Sequence, residues 1–69
     1  MQIWVICIGN EILSGHTLNT NLAFIGDQLI QEGYEITREC TIPDDETVIA
    51  ELLRESLAQA DLVITIGGL

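Results

Sequence analysis

"QIWVICIG" (residues 2–9) is apolar at almost every position and rich in β-branched side chains. A strand packed on one face alternates apolar with polar residues, whereas an unbroken run predicts a strand covered on both faces, as in a parallel sheet. "DLVITIG" (residues 61–67) is a second run of the same kind. Between them "YEITRECTI" (residues 34–42) alternates, with Tyr34, Ile36, Cys40 and Ile42 inward, and predicts a less covered strand nearer the sheet edge. The intervening stretches carry helical period. Leu18, Leu22, Ile25 and Leu29 form one face of a helix, with Asn19 or Thr20 as its N-cap and Gly33 as a left-handed C-cap. Val48, Ile49, Leu52, Leu53, Leu57 and Ala60 form the stripe of a second helix, and Asp45, Glu46, Glu51, Arg54 and Glu55 face water.

The order β-α-β-α-β, with connections long enough for crossover helices, predicts an α/β fold with a three-stranded parallel sheet and right-handed crossovers. The two most apolar strands, the first and third, are placed centrally and the second outside, giving the order 2-1-3. The winding direction then reverses between strands one and three, and open α/β sheets bind ligands at the carboxyl ends of the strands flanking such a reversal. Three connections meet on that edge: "GNEILSGHT", "IPDDE" and "GGL".

The composition narrows the function. Eleven acids stand against Arg38 and Arg54 alone, a net charge of -9, so the basic footprint that neutralises nucleic-acid phosphates is missing. A phosphate ligand must therefore be held by backbone N–H groups, a helix N-terminus or a divalent cation carried by acids. The other acids read as solvated helix faces. A chain of 69 residues makes one small domain, and its hydrophobic content of 48% suggests apolar surface that meets a partner or further polypeptide. Cys7 and Cys40 have no CxxC spacing and read as reduced thiols. "IWVICI" is too short for a membrane span and lacks the basic flank of a secretory signal, so no membrane partner and a cytoplasmic location are expected.

Paired glycines at the end of the third strand, Gly67 and Gly68, permit positive φ and expose N–H groups to an anion; a plain tight turn is the alternative. "GNEILSGHT" is not a P-loop: five residues separate Gly9 from Gly15 where the pattern has four, and His16 stands in place of the lysine. Asn10 and Glu11 are the first polar side chains past strand one, suited to positioning a ligand or metal or simply to solvation. A lone loop histidine such as His16 reads as a surface residue, and Trp4 and Phe24 read as core. Asp44, after Pro43, is placed as N-cap of the second helix with Asp45 and Glu46 in its first turn. It also lies at a strand's carboxyl end, where it can hold a cation or a ligand group.

Three blocks, "IGNEILSGHTLNTN", "TIPDDETVI" and "DLVITIGGL", taken together and in this order, resemble the N-terminal domain of the competence/damage-inducible CinA family, within the molybdenum-cofactor-biosynthesis (molybdopterin-binding) superfamily. The resemblance covers effectively the whole chain. It implies a three-layer α/β sandwich in which the paired glycines begin a longer "GGLGPT"-like loop, so the 69 residues are expected to be the N-terminal part of a single longer domain.

The resemblance also implies binding of a phosphorylated pterin or nucleotide. Adenylyltransferases of the superfamily activate the pterin with ATP, and CinA-type domains are associated with metal-dependent hydrolysis of nucleotide diphosphates such as ADP-ribose. By this likeness Gly67 and Gly68 match the start of the phosphate loop. Asp44 matches an aspartate of the "PD" turn implicated in catalysis and, with it, in holding a divalent metal ion. Gly9, Asn10, Glu11, Gly15, Asn19 and Asn21 match the "G-x-E-x-L-x-G…N-T-N" block, with ligand positioning as the implied role. Pro43 departs from the glycine frequent in CinA-like sequences and is closer to the adenylyltransferase turn. Superfamily relatives associate as dimers or trimers, which implies a homo-oligomer. The residues leave three readings: a hydrolase, a binding module without turnover, and an inert fragment whose third strand exposes an open edge.

Overall fold

The computed structural model describes residues 1–9 and 20–67. Five elements follow one another: β1 (Ile3–Ile8), α1 (Thr20–Gln31), β2 (Arg38–Ile42), α2 (Glu46–Gln59) and β3 (Leu62–Gly67). The strands are all parallel and lie in the order β2-β1-β3. The expected α/β class, strand direction and strand order are therefore the observed ones.

All six residues of β1 are buried, because this strand has a hydrogen-bonded neighbour on each side and helices over its faces. Val5 and Cys7 point to one face, where they pack with Ile66 of β3 and are covered by Leu22 and Ile25 of α1, Ile36 and Ile64. Trp4, Ile6 and Ile8 point to the other. The Arg38 guanidinium lies 4.5 Å from the centre of the Trp4 ring and 3.7 Å from the Glu55 carboxylate of α2, which sets α2 over this second face. The result is three layers. Burying each large side chain of β1 contributes about 1.5–3 kcal/mol. The buried residue of α2 is Ser56, whose small hydroxyl donates to the Leu53 carbonyl at 3.0 Å and so carries no unsatisfied polar atom into the core.

Both ends of the first crossover are pinned. Tyr34 N–H donates to the Leu29 carbonyl at 2.8 Å as the chain leaves α1 through Gly33, whose φ of 86° is the expected left-handed cap. Thr37 then clasps Ile3, accepting from its N–H at 3.0 Å and donating its hydroxyl to the carbonyl at 3.1 Å. At the start of β3, Gln2 N–H donates to the Asp61 carboxylate at 2.6 Å.

Several expectations are corrected. β2 begins at Arg38 rather than Tyr34, since Tyr34 is engaged in the end of α1 and is itself exposed. Phe24 is 64% exposed and Leu57 71% exposed, so neither belongs to the core; helical period marks a stripe but not how much of it the sheet can reach. β3 was expected to be covered throughout, yet Leu62 is 42% exposed and Thr65 is also exposed. Its place at the side of the described sheet, beyond β1, leaves it half covered.

Candidate functional site

The carboxyl ends of the three strands lie on one rim. Ile8 is in register with Ile42 on one side and Gly67 on the other, and Gly9 N–H extends the ladder by donating to the Ile42 carbonyl at 3.1 Å. With neighbouring strands about 4.8 Å apart, Ile42 and Gly67 stand about 10 Å from each other across the end of β1. Gly9 is buried and its amide is committed to β2, so its part is to end the strand at the rim.

Asp44 sits at the tip of a tight turn just past β2, in which Asp45 N–H donates to the Pro43 carbonyl at 2.9 Å. The cap of α2 is Asp45, not Asp44. The Asp45 carboxylate accepts from Thr47 N–H at 2.9 Å and Val48 N–H at 3.1 Å, while its own carbonyl accepts the first helical bond, from Ile49 N–H at 2.9 Å. The cap of α2 is thus Asp45, and Asp44 stands exposed at the rim just before it.

Gly67 ends β3 with a φ of 84°, and a Cβ built on it would overlap the Ile8 carbonyl oxygen. Only glycine permits this close approach of the two strand ends. Asn21, Phe24 and Ile25, spaced along one side of α1, face Thr65, Ile66 and Gly67 across an open groove of about 410 Å³. Asn21 and Gly67, both expected at the site, share this groove, and Asp44 lies along the same rim past β2. Asn10, Glu11 and Gly68 lie outside the described residues. Phe24 and Thr65 were not singled out from sequence as site residues. The signal for Phe24 is its position three residues after Asn21; Thr65, in register with Ile6, has its side chain on the other face of the sheet.

Among the described residues no three His, Cys, Asp or Glu side chains converge as a metal cage would require. A cation held at Asp44 would take its remaining ligands from water and substrate phosphates, as magnesium-type ions do. Among the described residues no helix is long and apolar enough to cross a membrane.

Comparison with known proteins sharpens this picture. Residues 4–69 match the family model described as "Probable molybdopterin binding domain". Over 69 residues the chain is 46% identical to a protein of Caldivirga maquilingensis and covers 100% of itself and 27% of that relative. It is 45% identical over 69 residues to a CinA-like protein of Citrifermentans bemidjiense, again covering 100% of the chain and 17% of the relative. A crystal structure of a protein CinA of unknown function from Thermoplasma acidophilum superposes with a TM-score of 0.87 at 46% identity, over 99% of this chain and 40% of that one. The chain thus spans about a quarter or less of the length of these two sequence relatives.

Proposed function

The chain belongs to the molybdopterin-binding domain family and is similar to CinA-like proteins, and from that premise we propose that its rim binds a phosphorylated pterin or nucleotide. We further propose that the whole protein hydrolyses the phosphoanhydride of a nucleotide diphosphate of the ADP-ribose type. The observation that supports the reading is the meeting, on one rim, of the glycine end of β3 and an exposed carboxylate: Gly67 beside Ile8, and Asp44 past Ile42.

Each residue has a physical task. Gly67, whose missing side chain makes room for the Ile8 carbonyl, holds the end of β3 against β1 and so shapes the rim on which a phosphoryl group would sit. The first turn of α1 holds no acid, so the positive end of its dipole favours an anion. Asp44 orients the attacking water and would hold a divalent cation jointly with the ligand phosphates. When bound, such a cation polarises the phosphoryl oxygens and lowers the pKa of its water. It also answers the charge problem, since a chain with net charge -9 otherwise repels a diphosphate. In the reaction water attacks one phosphorus, the P–O–P bond breaks, and ADP-ribose yields AMP and ribose 5-phosphate.

The test is to incubate the full polypeptide with ADP-ribose and Mg²⁺ and to separate the products by chromatography. AMP formation that the substitution Asp44→Asn abolishes supports hydrolysis. Ligand binding by calorimetry without AMP would leave the rim as a binding module. Neither binding nor turnover would overturn the reading.

A further inference from the structure

We propose that Phe24 is the platform on which the heteroaromatic ring of the ligand stacks, so that the groove between α1 and β3 is a ring subsite and Gly67 marks its phosphate end. This deepens the reading of the rim as a pterin or nucleotide site and rests on it.

The core does not account for Phe24. Leu22 and Ile25 supply the contacts of α1 to the Val5, Cys7 and Ile66 cluster, while Phe24 is 64% exposed. Among the exposed large apolar side chains Met1, Phe24, Ile30, Tyr34, Leu57 and Leu62, Phe24 is the one that lines the groove. The groove it lines is chemically mixed. Phe24, Ile25 and Ile66 give it apolar surface, and the Asn21 amide gives it a donor and an acceptor, while Thr65, in register with Ile6, turns its side chain to the other face of the sheet. A flat ring with an apolar face and a hydrogen-bonding edge needs this combination, as purines and pterins do. Among the described residues that line the groove none is charged, which suits the uncharged part of the ligand. The phosphates are then assigned to the rim at the end of β3, where Gly67 stands in register with Ile8.

The experiment uses the full polypeptide with Mg²⁺ and three probes: AMP, neopterin monophosphate and pyrophosphate, the last having no ring. Phe24→Leu is expected to weaken binding of the ring ligand about 5- to 150-fold, the range of one aromatic stack, and to leave pyrophosphate unchanged. Phe24→Trp is expected to retain affinity, and its added indole to change fluorescence with the ring ligand but not with pyrophosphate. Whether AMP or neopterin monophosphate gives the effect identifies the ring. Equal affinity of F24L and wild type for the ring ligand, or a parallel loss for pyrophosphate, would overturn the proposal while the rim reading stands. Wild type binding pyrophosphate alone would likewise end the ring subsite and spare the phosphate end. Wild type binding none of the three would end both.

Discussion

Gly67→Ala and Gly33→Ala form a matched pair in which backbone conformation is held constant and surroundings differ. The two glycines have nearly the same φ, 84° and 86°, so a side chain pays a similar conformational penalty at each, of order 1–3 kcal/mol. Part of that is offset by the lower entropy of the unfolded alanine chain, about 0.4–1 kcal/mol. At Gly33 nothing lies within 4 Å of an added Cβ, and the account ends there. At Gly67 the Cβ would overlap the Ile8 carbonyl oxygen and come to 3.4 Å from its carbon, so backbone must give way in the strand pair that forms the rim. Overpacking of this kind costs typically 1–3 kcal/mol more. A domain of this size has roughly 3–10 kcal/mol of stability in all. Urea unfolding followed by circular dichroism should therefore show Gly67→Ala with the lower midpoint by an amount equivalent to about 1–3 kcal/mol. Equal midpoints for the two variants would refute the close approach of β3 to Ile8, and with it the shape assigned to the rim.

Other substitutions test other parts of the structure. Asp45→Ala should lose about 1 kcal/mol of stability in thermal melts, and Asp44→Ala should lose clearly less, because Asp45 is the residue that accepts from Thr47 and Val48. Ile6→Ala, at a position with no exposure, should cost about 2–5 kcal/mol and leave a substantial unfolded fraction by the same melts. Ellman's reagent should modify the half-buried Cys40 well before Cys7, with Cys7 reacting only on unfolding; equal rates would contradict the burial of β1.

Much of this fold was legible because β1 is written in one kind of residue. An uninterrupted apolar strand has few ways to be covered, and the parallel sheet with helices over both faces is one of them. The rim followed from direction alone, since parallel strands bring their carboxyl ends together whatever the loops contain. Single-residue matters were less legible. Asp44, Asp45 and Glu46 are all chemically able to begin a helix, and only the backbone hydrogen bonds distinguish the cap. Phe24 has a core residue's chemistry and a groove residue's position. The constraint on Gly67 depends on its register with Ile8, which is a property of two segments and is written in neither.

The pairing of Gln2 with Asp61 joins residues 59 apart in sequence, and β1 is the strand to which both others attach. During synthesis at about 5–20 residues per second, β1 waits roughly 3–12 s for its last neighbour to be made. For that interval β1, with its apolar side chains, is first unpaired and then paired on the β2 side alone, a state open to capture by chaperones or by other nascent chains. The strand that anchors the finished sheet is thus also its main hazard while the sheet is being assembled.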